Sequence, residues 1–288
     1  MRMGRIFKLL ALVMVACTES SDKSDLFDSG KSLGAVDKRL EEASGLVASV
    51  ANPGYLWTHN DSGNPAEIFL LDQKADIAMT VLLKGITNRD FEDISLGPGP
   101  EAGKKYIYLG DIGDNLAVFP EKIIYRFEEP VLDKIKEVEI DVFDTLVVKL
   151  SDQIRDTEAL MVDPVSKELI IISKREDSVR VYHTPVPLNS DTTELQYAFT
   201  LPFHKIVAAD ISLDGNEVLL KDYEHIYYWK KKNTETILEL LQTSFTELTY
   251  KQEPQGEAVC WATDASGFYT LSEAVNDKPG KLLFYKRN

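Results

Sequence analysis

The sequence is poor in the residues that build the most recognisable sites. Its 288 residues include two cysteines, Cys17 and Cys260, and four histidines. Because Cys17 is the expected site of lipid attachment, the folded part keeps one cysteine and cannot form an intrachain disulfide. The histidines show neither HxH nor HExxH spacing, which excludes the usual zinc sites, and there is no Walker loop or GxGxxG fingerprint.

Basic residues are also in short supply. The chain has 32 Lys and Arg against 47 Asp and Glu, a formal net charge of −15. This imbalance argues against nucleic-acid partners and favours cations or neutral ligands. Hydrophobic residues make up 44% and charged residues 27%, as in an ordinary globular protein, so most of the chain is expected to fold.

The N-terminus is typical of an export signal. Three basic residues precede the apolar stretch 9–16, which is too short to remain as a membrane span. The stretch runs into the letters MVAC, which resemble a bacterial lipobox. We therefore expect residues 1–16 to be a lipoprotein signal peptide and Cys17 to carry a lipid; an ordinary secretory signal is the alternative.

The rest of the chain is expected to be a tether followed by one domain. Residues 17–30 are polar and read as a flexible linker, and residues 31–288 are expected to form the folded part. The predicted location is the bacterial cell envelope, on the periplasmic or outer surface of the outer membrane. The lipid would be the only contact with the membrane.

Five segments share one pattern: ASGLVAS, FEDISLG, TEALMVD, AADISLD and GEAVCWA. Each is followed by two further apolar segments, and four of the five by a third. Aligning their second residues gives steps of 48, 66, 51 and 48 residues. A repeat of about 50 residues with four short strands predicts a β-propeller. We expect five blades, with six as the alternative.

The ends of the chain predict how the propeller closes. The last repeat has room for three strands only, so residues 31–40 are expected to supply its outer strand and remove an exposed edge. Residues 233–245 are expected to form the outer strand of the fourth repeat, although their apolar spacing also suits a helical turn.

Acidic residues recur where first strands begin and second strands end, and antiparallel pairing brings both places to one channel mouth. The second residues of the five segments are Ser44, Glu92, Glu158, Ala209 and Glu257. A hard-oxygen ring suits Ca²⁺. The expected ligands are Glu92, Asp111, Glu158, Glu257 and Glu273, with Asp61, Asp93, Asp114 and Asp210 as weaker candidates. Alternatively, each acid accepts hydrogen bonds from backbone N–H groups of the next blade.

The stretch SGLVASVANPGYLWTHNDSGNPAEIFLLD…FEDISLG resembles the bacterial propellers called SdiA-regulated proteins and the phytase-type or esterase-like propellers. This resemblance extends over roughly residues 43–286. It implies calcium held by acids of the channel face and presentation of phosphate esters, carried over to Glu92, Asp111, Glu158, Glu257 and Glu273. Ser44 and Ala209 interrupt that ring, and basic residues able to grip phosphates are few.

Two classes of function remain open. The first is a binding module for a small molecule, glycan or protein, acting as a monomer with calcium as its metal. The second is a metal-dependent hydrolase of phosphate or carboxylic esters. For the hydrolase, the candidate catalytic residues are Glu92, Glu158, Glu257, His59, Lys174 and Arg175.

Overall fold

The computed structural model describes residues 25–185 and 192–288, and these are all-β apart from one short helix. The expected signal peptide, Cys17 and residues 18–24 of the expected tether lie outside the described residues. Within the two described ranges, no helix combines the length and apolar character needed to cross a bilayer.

The first sheet has five strands. In pairing order it contains β2 (Ala43–Ala48), β3 (Leu56–Asn60), β4 (Glu67–Leu71), β5 (Ile77–Leu83) and β9 (Glu137–Ile140). The first four form an antiparallel meander, whereas β9 adds to the edge in parallel.

The second sheet has eight strands, made of two meanders joined at their outer edges. One meander contains β6 (Phe91–Pro98), β7 (Lys105–Asp111), β8 (Lys122–Glu128) and β10 (Asp144–Leu150). The other contains β11 (Thr157–Val162), β12 (Glu168–Ser173), β13 (Arg180–Pro185) and β14 (Thr193–Thr200). Outer strands β10 and β14 pair in parallel, and every other pair in the sheet is antiparallel.

Two four-stranded sheets complete the described structure. One contains β15 (Ala208–Ile211), β16 (Glu217–Lys221), β17 (Ile226–Lys230) and β18 (Thr246–Glu247). The other contains β19 (Gly256–Trp261), β20 (Gly267–Ser272), β21 (Lys281–Lys286) and β1 (Lys31–Ala35). Strand β1 pairs antiparallel with β21, so the N-terminal segment supplies the outer strand of the last sheet, as the sequence predicts.

The first strands of the meanders contact one another in a closed cycle, β2 to β6, β11, β15, β19 and back to β2. Apolar clusters fill the spaces between successive meanders. Strands β2, β11 and β19 are buried along their whole length, which explains why their sequences are nearly continuous apolar runs. This is the architecture of a β-propeller.

The segment 233–245 does not form the predicted outer strand. Residues Ile237–Leu241 form helix α1, and the short strand β18 follows it. Thr236 caps the helix: its side chain accepts a hydrogen bond from the Glu239 N–H, and the Glu239 side chain accepts one from the Thr236 N–H. The apolar face of α1 is buried through Ile237, Leu240 and Leu241. The apolar spacing of this segment is therefore that of a helix, and the predicted strand is wrong.

Packing begins inside the segment expected to be a tether. The Phe27 ring is 3% exposed and lies edge-on to Tyr228 and Phe268, with ring centroids 6.1 and 5.0 Å away. Phe27 also forms an isolated antiparallel bridge with Arg287. The N-terminal segment is therefore held against the last two sheets before β1 begins.

Candidate functional site

Three first strands carry one extra residue near their starts. In β6, Phe91 is opposite Asp111 and Asp93 is opposite Gly110, so Glu92 has no partner across the ladder. The same register shift leaves out Glu158 in β11 and Glu257 in β19. A bulge of this kind bends the strand and redirects a side chain. Each of the three glutamates is therefore the bulged residue of its strand.

The other two first strands differ at this point. In β2 the bulged residue is Gly45, one position beyond Ser44, and β15 has no bulge because Ala209 pairs regularly with Leu220. Gly45, and not Ser44, is therefore the structural equivalent of the three glutamates in β2. Strand β15 has no equivalent residue, so Ala209 does not correspond to them.

Glu92 is the most constrained of the bulged glutamates. Its side chain is 3% exposed and makes no hydrogen bond or ion pair with a described residue. It belongs to two groups of three carboxylates, one with Asp61 and Asp90 and one with Asp156 and Glu158. Within each group of three, one oxygen per residue lies within 4.8 Å of the others. We call these five side chains the acidic mouth.

Glycine allows the acidic mouth to close around the Glu92 carboxylate. A Cβ atom on Gly113 would collide with Glu92 Oε1 and with Asp90 Oδ2. Gly113 follows β7 and donates its N–H to the Asp90 carbonyl at 3.2 Å. A larger residue than Gly113 would therefore displace the carboxylates of Glu92 and Asp90 from this arrangement.

Two basic side chains contact one edge of the acidic mouth. Lys174 Nζ lies 2.5 Å from Glu158 Oε1, and Arg175 Nε lies 2.5 Å from Asp156 Oδ2. Asp156 Oδ1 also accepts the Asp114 N–H at 2.8 Å. These contacts leave the Glu92 carboxylate without a counter-charge of its own.

A second pair of carboxyl groups lies beside the mouth. Glu257 is 5% exposed and accepts a hydrogen bond from the Tyr223 hydroxyl at 2.6 Å. Glu273 is hydrogen-bonded to Glu257. Lys174 Nζ lies 5.5 Å from the centre of the Tyr223 ring, which links this pair to the mouth.

Burial dominates the acid–base behaviour of these groups. It raises the pKa of Glu92 well above its usual value, and the charges of Glu158, Asp61 and Asp90 raise it further. Burial raises the pKa of Glu158 to about 8, although the Lys174 ammonium opposes the shift. Burial and then the neighbouring Glu257 raise the pKa of Glu273 to about 8, and burial raises that of Asp61 to about 6. The folded protein therefore holds protons at neutral pH.

Asp93 and Asp210, predicted as weaker metal ligands, have another role. Asp93 is fully buried and accepts the N–H groups of Ile94 and Leu160 at 2.9 Å. Asp210 accepts the Trp261 N–H at 2.7 Å. Their oxygens tie neighbouring first strands together, so these two acids match the backbone-acceptor alternative and lie outside the acidic mouth.

Asp111, predicted as a principal ligand, faces a cation. Its Oδ1 lies 3.3 Å from Arg89 Nε and accepts the Asp90 N–H at 3.0 Å. It belongs to neither three-carboxylate group found among the described residues. Asp111 therefore fixes the backbone at Asp90 by a hydrogen bond, and its own carboxylate lies outside the acidic mouth.

Asp114, a weaker candidate, organises its own loop. It accepts the N–H groups of Val118 and Phe119 at 2.8 and 2.7 Å, and its Oδ2 lies 3.1 Å from Lys122 Nζ. With both oxygens engaged by donors, Asp114 does not join the acidic mouth.

His59, a candidate general base, is fully buried. Its Nδ1 lies 3.1 Å from the Asn60 carbonyl, and Nε2 has no partner among the described atoms. Burial lowers the pKa of His59 to about 4. The imidazole is therefore neutral and shut away from solvent, which does not fit a base acting at the mouth.

Sequence reasoning missed Asp90 and Asp156, although a signal was present. Both lie two residues before a bulged glutamate, in the letters RDFE and RDTE at residues 89–92 and 155–158. The repeated R-D-x-E pattern places one aspartate immediately before β6 and one immediately before β11. Comparing the residues ahead of the repeats would have found both.

Comparisons with known proteins bear on the fold only. No family model and no curated protein matches the chain. A solved structure titled "Crystal structure of Nidogen/Laminin Complex" is similar at a TM-score of 0.46 and 10% identity, over 81% of this chain and 73% of that one. The "Structure of Dos1 propeller" is similar at 0.40 and 11%, over 85% and 68%. Likenesses at this level say nothing of what this chain binds, so the resemblance to SdiA-regulated and phytase-type propellers stays a prediction.

The raised pKa values predict an unusual pH dependence of stability. An unfolded glutamate titrates near pH 4.3, whereas Glu158 and Glu273 titrate at about 8 when folded. Between these values the folded state binds more protons, so the free energy of unfolding of the metal-free protein should fall as pH rises from about 5 to 8. Denaturant unfolding at several pH values measures this. The Glu273→Gln variant should show a shallower decline; stability that is flat or rises over this interval would contradict the assignment.

Proposed function

We propose that this chain is an exported, lipid-anchored β-propeller of five blades that acts as a binding module, with Ca²⁺ held in the acidic mouth. Its partner would be a small molecule, glycan or protein bound at the face that carries the mouth. The net charge of −15 speaks against nucleic acid.

The count of five rests on how the sheets divide. The parallel contact between β10 and β14 joins outer strands, so the eight-stranded sheet divides there into two antiparallel meanders. With the other three sheets this makes five, and five first strands complete the cycle of contacts. A sixth blade has no first strand to begin it within residues 25–185 and 192–288.

The observation that carries the calcium proposal is the Glu92 carboxylate, buried and without a partner of its own. A buried charge is costly unless it gains a proton or a counter-ion. Two oxygens bound to one Ca²⁺ at about 2.4 Å can be at most about 4.8 Å apart. The spacing in both groups of the acidic mouth meets this limit.

Ca²⁺ suits this set of oxygen donors better than Zn²⁺ does. It takes six to eight oxygen ligands in flexible geometry, whereas Zn²⁺ prefers nitrogen and sulfur. Glu92 would be shared by either group: with Asp61 and Asp90, or with Asp156 and Glu158. Glu257 and Glu273 would lie beside the ion rather than bind it in either group.

Binding is better supported than ester hydrolysis. Lys174 and Arg175, which a hydrolase would use to stabilise charge, are engaged by Glu158 and Asp156, and His59 is buried. A G-x-S-x-G pattern occurs at residues 30–34, but these residues lie in and beside the edge strand β1 and not in a strand-to-helix turn.

Replacing Glu92 tests the calcium proposal. In Glu92→Gln the amide mimics the protonated carboxyl, so the metal-free variant should be at least as stable as the wild type at pH 8. Its Ca²⁺ affinity should fall at least tenfold, because one charged ligand is lost from a buried site. Calorimetric titration of Ca²⁺ into the metal-stripped full chain measures the affinity, and thermal unfolding measures the stability.

Glu139→Gln is the matched control, because Glu139 is 61% exposed and contacts only the exposed Lys84 in its ion pair. It should leave Ca²⁺ affinity unchanged. The proposal fails if the wild type binds no Ca²⁺, or if Glu92→Gln binds it as tightly as the wild type does.

The anchoring proposal rests on the MVAC letters and is tested at Cys17. The full-length wild-type protein, expressed in a bacterial host with an alkyne-labelled fatty acid, should take up the label and sediment with membranes. Cys17→Ser should lose the label. An unlabelled wild type that is still cleaved and exported would instead support the ordinary secretory signal.

A further inference from the structure

A large open cleft lies directly beside the acidic mouth. Its volume is about 1070 Å³, enough for a ligand the size of a disaccharide or tripeptide. Lys174, Arg175 and Tyr223 line it, and the same residues contact Glu158, Asp156 and Glu257. Lys174 and Arg175 therefore lie between the cleft and the acidic mouth.

The cleft differs in charge from the rest of the protein. Three of its lining residues are Lys or Arg, and two are Asp or Glu, Asp222 and Glu224. Lys205, one of the three, is exposed and its ammonium makes no hydrogen bond or ion pair with a described residue. Lys174 and Arg175 are paired with Glu158 and Asp156, so Lys205 is the lining cation whose charge no described acid neutralises.

Two lining residues have backbones that favour glycine. Lys205 has φ +56° and Gln255 has φ +46°, in the left-handed region that side chains with a Cβ rarely adopt. Both side chains are exposed, so packing does not explain them. Six other non-glycine residues of the described chain share a positive φ, so this backbone marks no site by itself. It makes Lys205 a position where the side chain can be removed without a conformational cost.

We infer that the cleft binds a ligand carrying a single carboxylate, held by Lys205 and by the exposed side of Arg175. This names a ligand class for the binding module proposed above and rests on that proposal only for its dependence on calcium. A charge-assisted hydrogen bond from either basic group suits a carboxylate. Asp222 and Glu224 in the same cleft disfavour a dianion such as phosphate.

Calcium should strengthen this binding. In the metal-free protein, Arg175 and Lys174 are held by Asp156 and Glu158. An ion bound by Glu92, Asp156 and Glu158 would neutralise those carboxylates and make the basic side chains available to an anion in the cleft. We therefore expect tighter carboxylate binding with Ca²⁺ than without it.

The decisive variant is Lys205→Gly in the full chain. Removing the side chain relieves the left-handed backbone, so thermal stability should be unchanged or higher, while affinity for the carboxylate should fall at least tenfold. Lys167→Gly is the matched control, because Lys167 is an exposed lysine with φ +63° that does not line the cleft. It should gain stability in the same way and bind as the wild type does. Lys205→Gln, which keeps the backbone and removes the charge, should lose affinity too.

Two probes distinguish sources of the carboxylate, each titrated by calorimetry with an uncharged counterpart. Galacturonate and its methyl ester represent an acidic sugar, and N-acetyl-diglycine and its amide represent a peptide C-terminus. We expect one acid to bind with a dissociation constant in the millimolar range or below, at least tenfold tighter than its counterpart. Inorganic phosphate should bind more weakly than that acid.

The inference is overturned if neither acid outbinds its neutral counterpart, or if Lys205→Gly binds as the wild type does. Repeating the titrations in metal-stripped buffer separates the two proposals. Lys205-dependent binding that is indifferent to Ca²⁺ would support the cleft and count against an ion bound by Asp156 and Glu158. Ca²⁺ binding lost in Glu92→Gln, with no acid bound at all, would do the reverse.

Discussion

The structure depends on how five carboxylates are accommodated where the first strands of the sheets converge. These carboxylates form two groups of three that share Glu92, and within each group the oxygens are close enough to bind one ion: Asp61, Asp90 and Glu92, and Glu92, Asp156 and Glu158. Only Asp156 and Glu158 are paired with basic side chains. Packing fixes this arrangement, because the first strands are buried by both neighbouring sheets. The charge must therefore be relieved by protons or by a cation, and the raised pKa values and the proposed ion are two answers to the same problem.

The propeller places its buried acids at two depths, and depth decides their role. Asp93 and Asp210 lie further along the first strands, where backbone N–H groups of the adjacent strand reach their oxygens. Glu92, Glu158 and Glu257 lie nearer the strand starts, on bulges where they have no partner across the ladder. Asp93 and Asp210 join neighbouring sheets, whereas Glu158 and Glu257 contact Lys174 and Tyr223 and Glu92 has no side-chain partner among the described residues.

Much of the fold could be read from the sequence because apolar strands recurred with a regular spacing. The closing strand near residues 31–35 followed from counting the strands of the last repeat, and the convergence of Glu92 and Glu158 followed from antiparallel pairing. Helix α1 was predicted only as the alternative to an outer strand, because a five-residue helix beside a two-residue strand leaves a weak periodic signal.

The candidate site was harder to predict because a bulge changes which side chains face the axis without changing residue types. Asp93 directly follows Glu92 in the chain, but only the structure shows that one accepts backbone hydrogen bonds and the other does not. Nor does a pattern of strands reveal that His59 is buried or that Asp111 faces Arg89. The R-D-x-E letters before two bulges were the one unused signal.

A crystal structure of the protein grown with Ca²⁺ tests the central claim most directly. Anomalous scattering from calcium should give a peak beside Glu92, at about 2.3–2.6 Å from its carboxylate oxygen and from those of one neighbouring pair, Asp61 with Asp90 or Asp156 with Glu158. Ordered calcium elsewhere in the crystal with no peak at Glu92, or a Glu92 side chain turned away from the other four, would contradict the account.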